Sequence, residues 1–179
     1  MGRPVLPNTR TEVAMADHKR LMRRAIELSA MSRKNGNDPF GALLADANGS
    51  ILLEAENTAL SDKAVTAHAE QNLVTEASKQ FSCDELNRLI LYTSCEPCAM
   101  CAGAIFFAGI RSVVYGLSAD SLFKMWATQH NLSPALLDLS CRDVFSRCAT
   151  HPTTVIGPML EEEAAVPHQG FWESRWVGA

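Results

Sequence analysis

Apolar and polar positions along this chain fall into two periods. From Asp17 onward, Leu21, Met22, Ala25, Ile26 and Ser29 recur at helical spacing, while Lys19, Arg20, Arg23 and Arg24 fill the opposite face. That pattern predicts an amphipathic helix, ended by Gly36 through Pro39. Phe40 to Ala45 reads as a strand, Asp46 to Ser50 as a hairpin turn built on Asn48-Gly49, and Ile51 to Ala55 as the returning strand. Thr66 is placed to cap a second helix that runs to Gln80, with Leu73, Val74 and Ala77 on its buried side. Leu89 to Thr93 is a short apolar strand. Pro97 stands where helix starts tolerate proline, and Ala99 to Ala108 continues as a helix. Ser112 to Gly116 makes another strand. The pattern then blurs: Pro134 to Cys148 reads as helical, Thr153 to Ile156 as a fifth strand and Glu161 to Ala165 as the start of a last helix.

The order α-β-β-α-β-α-β implies an α/β fold, a single domain with helices packed on a central sheet. Residues 1–16 show no periodicity and read as a flexible tail; residues 17–179 form the domain. The 179 residues, 47% apolar and 20% charged, suffice for one hydrophobic core and exclude a collagen, a coiled coil or a chain disordered throughout. The longest apolar stretch, Ala102 to Ile110, has about half the roughly 18 residues that a membrane crossing needs. Val5-Leu6-Pro7 is too short for the apolar part of a signal peptide, and Leu6 occupies the place where a myristoylation signal wants Ser or Thr. A cytoplasmic location is therefore expected, and with it six cysteines that are thiols or metal ligands rather than disulfides. Sixteen basic against 20 acidic side chains leave a net charge of −4, which argues against nonspecific attraction to nucleic acid. The row from Lys19 to Arg24 then reads as a solvated helix face.

Two short segments carry the chemistry, Thr66-Ala-His-Ala-Glu70 and Glu96-Pro-Cys-Ala-Met-Cys101. Each falls at the predicted start of a helix that follows an extended stretch. Cys98 and Cys101, three apart, share one helix face. The positive end of the helix favours thiolates, and His68 adds a neutral nitrogen. Three N/S ligands suit Zn²⁺ and leave a fourth position for water. Such a water ionises near neutral pH, and Glu70, two residues after His68, is the natural carrier of its proton. The alternative is a closed structural zinc site with Cys95 as fourth ligand, since Cys95-Glu-Pro-Cys98 is also a Cys-x-x-Cys; that site would leave Glu70 idle. His-x-Glu followed by Pro-Cys-x-x-Cys is the known signature of zinc deaminases.

On these segments the chain resembles the cytidine deaminase superfamily, and is most similar to the branch that holds fungal-type cytosine deaminase, bacterial guanine deaminase and the tRNA wobble adenosine deaminase. The resemblance runs over residues 17–116. It is carried by Asp38-Pro-Phe-Gly-Ala42, Asn57, Thr66 to Glu70, Leu91 to Ile105 and Val114-Tyr-Gly116. It implies the three-layer α/β/α fold of that superfamily with its mixed five-stranded central sheet, zinc held by His68, Cys98 and Cys101, and Glu70 as the catalytic proton shuttle. It also implies that Asn57 hydrogen-bonds the base, that Phe40 packs on its ring, and that backbone groups at Ala69 and Glu96 meet the carbonyl and the amine. Relatives in this branch are usually oligomers, which implies a homodimer.

After Gly116 the resemblance thins. From Pro152 onward the chain carries four glutamates, Glu161, Glu162, Glu163 and Glu173, against Arg175 alone, a poor surface for tRNA phosphate. Phe171-Trp172-Glu173 is similar to the closing helix of fungal cytosine deaminase, where an aromatic lid with a carboxylate would stack on a base; the same aromatics would also serve simply to pack on the core. The expectation is a zinc-dependent hydrolase of nucleobase metabolism, one that deaminates a free nucleobase, nucleoside or related amino-heterocycle of guanine or cytosine type. A tRNA wobble adenosine deaminase and a non-catalytic zinc-stabilised binding module are the alternatives.

Overall fold

A computed structural model describes residues 15–130 and 137–172. Its elements follow the chain as α1 (Met15–Lys34), β1 (Gly41–Ala45), β2 (Ile51–Glu56), α2 (Ala69–Gln80), α3 (Cys83–Leu86), β3 (Ile90–Cys95), α4 (Ala99–Ala108), β4 (Ser112–Leu117), α5 (Ala119–His130), α6 (Cys141–Ser146), β5 (Thr154–Ile156) and α7 (Glu161–Ala165), with a 3₁₀ turn over Val166–His168. The strands form one sheet in the order β2-β1-β3-β4-β5. β1 pairs antiparallel with both β2 and β3, whereas β3–β4 and β4–β5 are parallel. The sheet is mixed and five-stranded, as its sequence implies.

β1 shows how side-chain alternation builds two cores. Ala42 and Leu44 join Leu73, Ala77, Leu91, Ala102 and Ile105 beneath α2 and α4. Leu43 and Ala45 join Leu21, Met22, Ala25 and Leu28 of α1 on the other face. α1 and α7 therefore lie on one side of the sheet and α2, α4 and α6 on the other. α1 approaches β1 so closely that a Cβ at Gly41 would stand 2.5 Å from Leu28 Cβ and from Ser29 N.

Strand direction decides where the helices begin. β2 and β3 are each antiparallel to β1, so they point the same way, and α2 and α4 start from the same edge of the sheet. The N-termini of two helices converge there.

Several expectations are corrected. Thr66 does not cap α2: Thr66 O accepts from His68 N at 2.8 Å in a tight turn, and His68 itself occupies the N-cap with an extended backbone. The β1–β2 turn, by contrast, spans 46–50 as expected; Asp46 Oδ1 accepts from the backbone N–H groups of Asn48 and Ser50, and Gly49 takes the positive φ of 79°. The helix expected over Pro134 to Cys148 contracts to α6, capped by Ser140 accepting from Asp143 N. Residues 131–136 lie outside the described residues, as do 1–14, most of the expected tail; α1 already begins at Met15.

Two glutamates at the start of α7 act as tethers. Glu161 Oε1 accepts from Ser118 N at 3.1 Å and from Ser118 Oγ, and Glu163 makes a two-pronged ion pair with Arg23. The basic face of α1 is likewise engaged: Arg24 grips Glu54 and Glu27, and Arg20 donates to Gly49 O. No described helix is long and apolar enough to cross a membrane.

Candidate active site

His68 stands at the N-cap of α2 and Cys98 at the N-cap of α4; neither side chain closes its own helix. Each is left free to face the other. Cys101 lies in the first turn of α4 and is fully buried. His68 Nδ1 is 3.8 Å from Cys98 Sγ and 3.6 Å from Cys101 Sγ. The ligand atoms of all three residues fall within 4.8 Å of one another, and theirs is the only such group among the described residues. Zinc bonds of about 2.0 Å to nitrogen and 2.3 Å to sulfur at tetrahedral angles require an N···S separation of about 3.5 Å. The donor set thus fits zinc in both chemistry and spacing.

The electrostatics agree. The Cys98 thiol is lowered to about 4, first by the hydrogen bond from Cys101 and then, against the effect of burial, by His68. Cys101 is raised by that same bond and by burial. The Cys98 hydrogen bond also raises His68, while burial opposes it.

Glu70 lies in the first turn of α2, 5% exposed. Burial is the largest influence on its carboxyl and raises it; the hydrogen bond from Thr93 Oγ1 to Oε1, 2.8 Å long, works the other way. Cys95 is buried and outside the three-residue group, and its thiol is held well above the usual range by burial. The closed site with Cys95 as fourth ligand is therefore not formed.

The residues implied by resemblance gather around the same edge. Asn57 is 1% exposed; its Oδ1 accepts from Ala59 N, and its backbone N–H donates to Phe40 O at 3.0 Å. The following Thr58 N donates to Ala67 O, one residue before His68. Phe40 lies edge-on to His168, ring centroids 5.2 Å apart, and 6.2 Å from Trp172. Ala69 is the first residue of α2 and fully buried. Glu96 donates its N–H to Leu117 O, so only its carbonyl remains for a ligand, and its carboxylate accepts from Ala119 N and Cys141 N. Phe171 contacts Trp172 edge-on and lies beneath the Arg33 guanidinium, which ties it to α1. Glu173 lies outside the described residues.

Two residues of this neighbourhood escape the motif. Thr93 could have been found from its strand, because a polar residue two after Leu91 must share its core-facing side. His168 gave no local signal.

A buried carboxylate beside a His-Cys-Cys group, presented by helix starts at one edge of a mixed sheet, defines a hydrolytic deaminase of amino-substituted rings. Residues 15–117 match the family described as the cytidine and deoxycytidylate deaminase zinc-binding region, and the chain belongs to that family. It is 41% identical over 152 residues to a probable cytosine deaminase of Schizosaccharomyces pombe, which covers 85% of this chain and 90% of that one. It is 38% identical over 100 residues to the guanine deaminase of Bacillus subtilis, covering 55% and 64%. Among solved structures, one from studies of A-to-I editing by tRNA:A34 deaminases superimposes with a TM-score of 0.62 at 27% identity, over 83% of this chain and 98% of that one.

Proposed function

We propose that the protein is a zinc enzyme that deaminates a free nucleobase or closely related amino-heterocycle of cytosine or guanine type, releasing ammonia. The observation that carries this reading is Glu70, a carboxylate buried beside three ligand atoms of zinc spacing. His68, Cys98 and Cys101 would hold the ion. When bound there, zinc supplies a water ionised near neutral pH. In the net reaction the water oxygen replaces the exocyclic amine nitrogen on the ring carbon.

The chain's own groups supply the rest. Glu70 takes one proton from water and passes it to a ring nitrogen, then takes the second from the hydroxyl now on the ring carbon and gives it to the departing amine. Its burial raises the carboxyl toward the range where both directions are accessible. The Asn57 side chain has Oδ1 committed to Ala59, so its amide N–H groups face an acceptor on the base. Phe40 covers the ring, the Ala69 N–H meets a carbonyl, and the Glu96 carbonyl accepts from the amine. Trp172 and Phe171 close the site from the C-terminal side.

The charge distribution favours a free base over tRNA. Arg23 and Arg24, two of the four basic residues on that face, are already paired with carboxylates, which weakens the row most suited to phosphate. All six cysteines are free thiols, in keeping with a cytoplasmic protein. A second copy of the chain would complete the assembly as a homodimer.

Ammonia release should be measured on cytosine, guanine, adenine, isoguanine, pterins and their nucleosides, with inosine formation on tRNA in parallel. Turnover of at least one free base is expected, and Glu70→Gln should retain zinc while losing roughly 10²–10⁴-fold in kcat. Inosine on tRNA with no free base turned over would overturn the substrate assignment; full activity in the variant would overturn the role of Glu70.

A further inference from the structure

Thr93 is wholly buried on β3, two residues after Leu91, and the strand sends both side chains toward α2 and α4. Leu91 meets the apolar core there. Thr93 meets Glu70 instead, its Oγ1 donating to Oε1 at 2.8 Å. A hydroxyl taken out of water without a partner is costly, so this bond keeps Thr93 where valine would otherwise serve. The donor is also rigid. Its backbone is paired on both sides, to Ala42 across the antiparallel β1–β3 ladder and to Tyr115 across the parallel β3–β4 ladder. As a β-branched side chain, threonine has few χ1 choices.

We propose that Thr93 is a positioning residue for the deamination: by fixing Oε1 it presents Oε2 of Glu70 as the oxygen that takes and returns the proton. This rests on the reading of Glu70 as proton carrier. A carboxylate that rotates freely offers either oxygen, at variable distance, to a water and then to an amine. One that is pinned offers a single oxygen along a defined path, and a misplacement of about 1 Å in such a site can cost as much as 10²-fold.

The test compares zinc-loaded Thr93→Val and Thr93→Ser with the parent chain on whichever base the parent deaminates. Valine matches threonine in shape and lacks the hydroxyl; serine keeps the hydroxyl and lacks the methyl. Expected are unchanged zinc content and KM in T93V, with kcat lowered by more than threefold, about tenfold being the usual cost of losing a supporting hydrogen bond. T93S should recover most of that loss. A T93V kcat within threefold of the parent, or a loss that serine does not recover, overturns the proposal. If T93V does not fold, T93A is judged by the same rule. A parent silent on every base would count against the functional reading, whereas an active parent matched by T93V counts against Thr93 alone.

Discussion

His168 is fully buried, and among the described residues neither of its ring nitrogens has a hydrogen-bond partner; Trp172 Nε1, in the ring stacked on it at 5.9 Å, has none there either. Arg33 donates to Pro167 O and Gln169 O on either side, which locks the imidazole inward. Each such group costs about 1–3 kcal/mol of lost hydration. Burial, helped by Arg33, lowers His168 to about 4 from an ordinary value of 6.5. The unfolded chain therefore binds a proton that the folded chain refuses between those values, and stability falls as pH drops from 6.5 to 4, by roughly 3 kcal/mol at most. His168→Leu should raise Tm by at least roughly 2–4 °C, more at pH 5 than at pH 7.5. Thermal melts at both pH values check this, and a lower Tm at pH 5 would refute it. At this scale the motif residues were legible because His68, Glu70, Cys98 and Cys101 depend on local spacing. His168 was not, because its burial is set by Phe40, Arg33 and Trp172, all brought together from afar or by the turn it sits in.

Among the elements, the α1–β1 contact leaves no room for a side chain. Ser29 Oγ donates to Pro39 O, Gly41 N donates to Ser94 Oγ, and the helix backbone lies where a side chain at position 41 would go. Gly41→Ala would press on Ala25 O and Ser29 N, which are backbone and cannot swing away. A loss of about 1–3 kcal/mol is expected, read as a lower denaturant midpoint with an unchanged slope. The elements most visible in the sequence were those with one fully buried face, α1, α2 and the central strands. α5 went unseen because none of its described side chains is fully buried; Leu122 and Met125 only lean on the Cys95–Leu117–Ala164 cluster, which blurs the period. α3 was written plainly in Ser82-x-x-Glu85, a reciprocal capping box, but its single turn leaves no hydrophobic repeat to find.

For the molecule as a whole, the outer face of α4 remains open. Met100 and Phe107 are 36% and 87% exposed, and beside them a Cβ at Gly103 would meet nothing within 4 Å. The three share one helical face, on the element that carries both cysteines. It is the surface expected to pair with a second copy. Phe107→Glu should convert a dimer to a monomer in sedimentation velocity at micromolar concentration; an unchanged mass would place the contact elsewhere.

The carboxylate of Glu96 bears on this level too. It reaches the chain beyond β4 through main-chain N–H groups at Ala119 and Cys141, atoms that every substitution short of proline leaves in place. Side chains there can therefore change while this mooring to the cysteine loop persists. The His168 and Trp172 rings, by contrast, must still fit Phe40, so exchange of the C-terminal part between relatives is a workable route to new selectivity only when position 40 travels with it.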